Sequence, residues 1–294
     1  MSLFNLIKAT NDQDSVMAFF ESRGYQNIQK KIAESLNTIL SATKGDQKCF
    51  IKKFNPNGRP AEVNLARITT EVACYKHLPS AILIDAVELN IEQKYIILHW
   101  ADLEDTGDDP ESIEALVDLG LNVLPQIDAS FLPEVLWDHY KEIFEKAKQL
   151  HTAGIIDDPK EVIAFFESKK DLIMNAKKDF AHQDFNRRNV KTVNRKLKLF
   201  DFELSRPNNA MVDMASLYID IKDRADLVET FSKRIKESEL YDEELLDLMI
   251  IRRATLFMYS FIDVLKAGTK LQFLQNNVEA YKEITAKVLR STSN

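Results

Sequence analysis

The apolar periodicity of this chain changes once, near residue 100, and that change limits the folds open to it. Up to Trp100 the apolar residues come in short β-branched or aromatic runs: NIQKKIAE (27–34), LNTILSA (36–42), CFIKKF (49–54), AILIDAVEL (81–89) and KYIILHW (94–100). Turn residues such as TKGDQ bound them, which predicts strands. A single helical pattern interrupts, AEVNLARITTEVACYKHL over 61–78. After Trp100 comes an acidic stretch with glycine and proline, ADLEDTGDDPES, and then long helical periodicities over 111–129, 133–153 and 159–178, with further helices through 213–237 and 242–290. The expected class is α+β: a sheet-rich lobe over 1–100, then a mostly helical lobe over 101–294. At 294 residues each lobe can bury its own core.

Composition narrows the function. The apolar share of 45% and charged share of 29% suit a soluble globular chain. A net charge of −7 leaves no basic field for nucleic acid, so small molecules are the expected partners. Cys49 and Cys74 lack metal-ligand spacing with another cysteine or histidine, and both are expected as reduced core residues. The histidines at 77, 99, 139, 151 and 182 form no metal motif. MSLFNLIKATNDQDS is too short in apolar residues for a signal peptide, and Arg252 and Arg253 interrupt the apolar run LMIIRRATLFMYSFIDVL. The expectation is a cytoplasmic protein without a membrane partner.

The chemistry concentrates in HQDFNRRN (182–189) and the segment after it. Two arms of equal length, Val190 to Val193 and Leu197 to Phe200, flank the polar turn Asn194-Arg195-Lys196, a hairpin signature. Antiparallel pairing in that register sets Asn189 opposite Asp201, so an amide oxygen and a carboxylate converge. Hard oxygen ligands at an otherwise open site suit Mg²⁺, whose shell is completed by water and substrate phosphates. Asp184, five residues before Asn189, is then the carboxylate able to take the proton of an attacking hydroxyl. His182 is expected to prop the loop.

His182, Asp184 and Asn189 reproduce the H-x-D-x-x-x-x-N loop of kinase-like phosphotransferases, followed by the aspartate of LFDFE. The wider stretch HQDFNRRNV…LFDFELSRPNNAMVDMASL most resembles the aminoglycoside phosphotransferase and choline kinase family, including a further aspartate, Asp213, opening a helix. The resemblance implies a bilobal protein-kinase-like fold and transfer of the γ-phosphoryl group of ATP to a hydroxyl of a small acceptor: an amino alcohol, amino sugar or sugar. CFIKKF then carries the phosphate-binding lysine, Lys52 in preference to Lys53 because the family's basic residue follows two apolar ones. Its partner is Glu71 in TEVACYKHL, and KQLHTAG is similar to the helix end before the catalytic region. Backbone at His99 to Ala101 meets adenine, Asn189 and Asp201 hold Mg²⁺, and Asp184 is the base.

The chain also departs from the kinase pattern. AESLNTIL stands where protein kinases carry G-x-G-x-x-G, leaving phosphate contacts to backbone N–H groups and to Ser35, Asn37 or Thr38. Arg187-Arg188 replaces the family's frequent Pro-Gly, and Arg188 is similar to the arginine of tyrosine-kinase loops. DFE in place of D-F-G, and the lack of an A-P-E segment, count against a protein kinase. Intact base and metal positions count against a non-catalytic pseudokinase module. Glu203 and the overall acidity favour a cationic acceptor. The acidic residues over 102–109, and an aromatic cage drawn from Trp100, Trp137, Tyr140, Tyr218, Tyr259 and Phe261, are candidates for holding it, against the plainer readings of a solvated linker and core packing.

Overall fold

The computed structural model describes residues 14–30, 37–54, 60–100, 102–268 and 271–292. The chain divides into two compact units: residues 1–105 with 190–204, and residues 106–189 with 205–294.

The first unit begins with α1, helical over 14–21. Then follow β1 (Gln26–Lys30), β2 (Thr38–Lys44), β3 (Gln47–Lys53), α2 (Ala61–His77), β4 (Ala86–Asn90), β5 (Tyr95–His99) and the short β6 (Glu104–Asp105). The first five strands make one antiparallel sheet in the order β1-β2-β3-β5-β4. Side chains alternate between its faces, so each strand feeds two cores. One face packs Leu40, Cys49, Ile51, Tyr95 and Ile97 on Phe20 of α1. The other packs Ile39, Phe50, Ile96 and Leu98 on Ile68 and Val72 of α2. Complete burial of each such side chain stabilises by about 1.5–3 kcal/mol. The same alternation sends Lys52 to the α2 face with Phe50, and Lys53 to the α1 face beside Tyr95. Cys49 and Cys74 are both buried and not disulfide-bonded, as their apolar surroundings predict.

The stretch 81–89 is not one strand. Residues Ser80–Ile82 form a 3₁₀ turn and the strand begins only at Ala86. The apolar residues between are buried elsewhere: Leu83 bridges Leu199, and the Ile84 N–H donates to the Leu199 carbonyl at 3.2 Å.

The second unit opens with α3 (Pro110–Asp118), which passes through one π turn and one 3₁₀ turn up to Gln126. It continues through α4 (Trp137–Thr152), α5 (Lys160–Ser168), α6 (Lys170–Asn175) and β7 (Asp179–Ala181). Asp109 caps α3 by accepting from the Ser112 N–H at 2.9 Å. The expected helix over 159–178 breaks at Lys169, where φ −99° and ψ 13° leave the helical range.

Residues 190–204 return to the first unit as β8 (Val190–Val193) and β9 (Lys196–Leu199), with β6 alongside β8. The turn is Asn194-Arg195 alone, both left-handed at φ 49° and 63°, the geometry whose twist matches paired strands. Lys196 already pairs with Val193, which corrects the expected three-residue turn. The register moves by one: Val190 faces Leu199, so the position across from Asn189 is Phe200 and Asp201 lies one residue further.

The second unit resumes with β10 (Arg206–Asn208), paired with β7 in a ribbon too short to be legible as periodicity. It ends with α7 (Met211–Asp220), α8 (Ala225–Ile235), α9 (Glu243–Ser260), α10 (Ile262–Lys266) and α11 (Gln272–Thr292). Helix α7 is buried along most of its length, which makes it a rigid base for the loop before β8. Among the described residues no helix is long and apolar enough to cross a membrane.

Candidate active site

In the first unit the polar centre is Lys52. It is 4% exposed and Glu71 1%, which distinguishes Lys52 from Lys53, whose Nζ donates to the Gln93 carbonyl near the surface. Lys52 Nζ donates to Glu71 Oε2 at 2.7 Å, pairs with Glu203 Oε2 at 2.8 Å and donates to Asp201 Oδ1. Each partner is delivered by a local rule. Glu71 lies on the turns of α2 that bury Asn64, Ile68 and Val72, the spacing of one helical face. Asp201 and Glu203 are two residues apart, so both reach the same lysine. Burial alone would push the Lys52 pKa down, but Asp201, Glu203 and Glu71 outweigh it and hold it up, so the ammonium stays charged. Glu71 is pushed above the carboxylate range, chiefly by burial and further by Asp201 and Glu203 against the pull of Lys52.

Carboxylate oxygens of Glu71, Asp201 and Glu203 lie within 4.8 Å of one another. They form an all-oxygen donor set, which is what Mg²⁺ takes. Glu203 is engaged within the first unit. It serves Lys52, Arg67 Nη1 and Asn37 Nδ2, the last at 2.9 Å, because D-F-E spacing carries it to the lysine.

In the second unit the loop 182–189 is built around Asp184. Its anchor is Asp213, which opens α7 and accepts two backbone N–H groups, from His182 at 2.8 Å on Oδ2 and from Gln183 at 2.7 Å on Oδ1. Gln183 sits at φ 62°, a left-handed step that lets consecutive amides face one carboxylate. His182 is fully buried and its Nδ1 accepts from the Asp184 N–H at 3.4 Å, so it holds the loop as expected.

Asn189 Nδ2 donates to the Asp184 carbonyl and to Asp184 Oδ2, both at 2.9 Å, which leaves its amide oxygen as the atom able to face a cation. Asn186 Nδ2 reaches Asp184 Oδ1 at 3.1 Å, and Arg253 Nη2 of α9 pairs with the same oxygen. Burial pushes the Asp184 carboxyl up, but Arg253, His182, Arg188 and the Asn189 bond together hold it below the usual range, so it is ionised and able to accept a proton. Arg187, at the departure from Pro-Gly, ties the loop to the end of α7: its Nε donates to Asp220 Oδ2 at 2.8 Å and its Nη2 to the Asp220 carbonyl at 3.0 Å.

The expected residues thus gather in two groups, each within its own unit: Lys52, Glu71 and Asp201 in the first, Asp184 and Asn189 in the second. Thr38 opens β2 opposite Lys53. The amides of His99 and Trp100 are taken within the sheet, donating to the carbonyls of Asp85 at 2.8 Å and Lys48 at 2.9 Å. Ser35 and Ala101 lie outside the described residues. Part of the acidic run is engaged: Asp105 pairs with Lys191, Asp108 with Arg187 and Arg224, and Asp109 caps α3. Arg253, Arg67 and Asn186 escape a reading of the sequence. Only Asn186, two residues from Asp184, carries a local signal.

No protein-family model matches the sequence, and no curated protein matches it either. Solved structures do match. Choline kinase LicA from Streptococcus pneumoniae superposes with a TM-score of 0.67 at 13% identity, over 94% of this chain and 98% of that one. A thermostable mutant of aminoglycoside phosphotransferase APH(4)-Ia, in a ternary complex with ADP and hygromycin B, gives 0.63 at 15%, over 92% and 97%. A choline/ethanolamine kinase family protein from Mesorhizobium loti gives 0.63 at 12%, over 88% and 87%. The chain has the kinase-like fold of these small-molecule phosphotransferases, across nearly its whole length.

Proposed function

We propose that the protein is an ATP- and Mg²⁺-dependent phosphotransferase acting on a hydroxyl of a small molecule. The observation that carries this is the buried Lys52 held jointly by Glu71 and Asp201, three residues distant in sequence that the family resemblance assigned to one task. Lys52 binds the α- and β-phosphates, and Glu71 fixes its direction. By the family resemblance, oxygens of Asp201 and Asn189 would hold Mg²⁺; a carboxylate and an amide oxygen are each the hard donor that ion takes. The metal, when bound, neutralises charge on the transferring phosphoryl group.

Asp184 orients the acceptor hydroxyl and takes its proton. The hydroxyl oxygen bonds to the terminal phosphorus while that phosphorus parts from ADP. The neighbours' acceptors, choline and hygromycin B in their names, support a small-molecule hydroxyl substrate. Their low identity leaves the acceptor to be read from this chain's own residues.

The test is Mg²⁺-dependent ADP release across a panel of small alcohols and a generic protein substrate. Asp184→Asn is expected to keep nucleotide binding but lower kcat by about 10²-fold or more, since it removes a proton acceptor and no metal ligand. Loss of ATP affinity with unchanged turnover, or turnover only with protein substrate, would refute the assignment.

A further inference from the structure

The Lys52 ammonium is surrounded by carboxylates. Glu71 Oε2 accepts from it at 2.7 Å, Asp201 Oδ1 accepts as well, and Glu203 Oε2 lies at 2.8 Å. An ammonium has three N–H donors and no more. A nucleotide phosphate that is to reach Lys52 must therefore displace one of these groups, and it brings further negative charge into their company.

The three carboxylates differ in what they lose by giving way. Glu71 is 1% exposed and bonded to Lys52 from α2, so parting from the lysine would strand a buried charge. Asp201 is the residue assigned to Mg²⁺ above. Glu203 has a second cation: its Oε1 pairs with Arg67 Nη1, and its Oε2 also accepts from Asn37 Nδ2 at 2.9 Å. It can leave Lys52 and still be paired. Arg67 stands one helical turn before Glu71 on α2, so the helix that aims the glutamate at the lysine also brings the arginine to Glu203.

Resting on the phosphotransferase reading above, we propose that Arg67 is a positioning residue for the nucleotide: it draws the Glu203 carboxylate aside, so that Lys52 is yielded to the phosphates while Glu71 stays on the lysine. Arg67 touches Glu203 and acts through it. Without the arginine both Glu203 oxygens turn to Lys52, and the carboxylate competes with phosphate for the ammonium. The D-F-E spacing that carries Glu203 to the lysine thus needs a cation on α2, which a glycine in that position would not.

The experiment titrates the full chain with ADP and Mg²⁺ by calorimetry, which requires no knowledge of the acceptor. Arg67→Gln should raise the Kd for ADP by about 10-fold, the scale of loss when a residue behind a liganding group is removed. Arg67→Lys keeps the charge without the planar fork and should recover part of it. The decisive variant combines Arg67→Gln with Glu203→Gln: with no carboxylate left to compete, most of the lost affinity should return. A merely structural arginine predicts no such recovery, since a second substitution in the same ion pair does not repair loosened packing. Arg23→Gln, which breaks the Arg23–Glu88 pair at 2.8 Å in the same unit, should leave the Kd unchanged.

A double variant as weak as Arg67→Gln overturns the proposal, and so does a comparable loss in Arg23→Gln. Should Arg67→Gln fail to fold, Glu203→Gln by itself decides: it should bind ADP at least as tightly as the wild type, and weaker binding overturns the proposal. If the wild type binds ADP and Arg67→Gln binds it equally, this proposal alone fails. If the wild type does not bind ADP, the phosphotransferase reading fails with it.

Discussion

Replacing Asp213 by asparagine isolates what charge on the loop anchor costs the fold. In the wild type both carboxylate oxygens accept backbone N–H groups, from His182 and Gln183. Burial nonetheless outweighs those bonds and the pull of His182, and it pushes the carboxyl up to about 6 from its ordinary 3.8. A folded-state pKa above the unfolded one means that the fold favours the protonated acid. Its stabilisation is fully present below 3.8 and is lost as pH rises through about 6. At 1.36 kcal/mol per unit the gap corresponds to about 3 kcal/mol.

Asparagine has no such titration. Its amide, however, offers one acceptor where two N–H groups point, leaving a buried donor unmatched at a cost of about 1–3 kcal/mol. The variant should therefore be less stable than wild type by about 1–3 kcal/mol near pH 4, and equal or more stable near pH 7, where the wild type bears the buried charge. Urea denaturation of both proteins between these pH values measures the difference. A gap that stays constant with pH would refute the claim that burial sets the state of Asp213.

Two further outcomes are expected. Asn189→Ala and Asp201→Ala should each lower Mg²⁺-dependent turnover, and the double variant should lose much less than the product of the two, with excess metal restoring part of each single loss; additive effects without metal dependence would separate the two residues. Lys52→Met should destabilise by about 3 kcal/mol in denaturant titration at neutral pH, since it removes the ammonium that joins the buried Glu71 to the part-exposed Asp201 and Glu203. Lys52→Arg, which keeps the charge, should recover part of the loss, and an equal loss in both variants would assign it to packing.

The short-range features of the site are legible along the chain because they follow from local rules. Period-two alternation in CFIKKF separates Lys52 from Lys53 by face, and period 3.6 in α2 brings Glu71 round to that face. The five-residue step from Asp184 to Asn189 is closed by hydrogen bonds inside one loop. The hairpin too is marked by two apolar arms and a polar turn. Its register differs from the expected one by a residue because composition cannot say whether a turn takes two residues or three; that depends on whether Asn194 and Arg195 both accept left-handed backbone.

Elsewhere sequence pattern misjudges length. The apolar run 81–89 resembles one strand because its first residues are buried, yet burial against Leu199 serves them without sheet pairing. The patterns over 159–178 and 242–290 continue through helix breaks, since a core-facing stripe persists across a bend.

The sequence by itself determined the fold class, the order of strands and helices, and the loop that holds Asp184, since each is a matter of spacing along a few residues. Which charges surround that carboxylate was decided only by tertiary structure. Arg253 lies on α9, and nothing in its local sequence distinguishes it from arginines that face water. It acquires meaning because packing brings its Nη2 onto Asp184 Oδ1 from a distant part of the chain, and a charge drawn away from solvent keeps its cost unless it is paired.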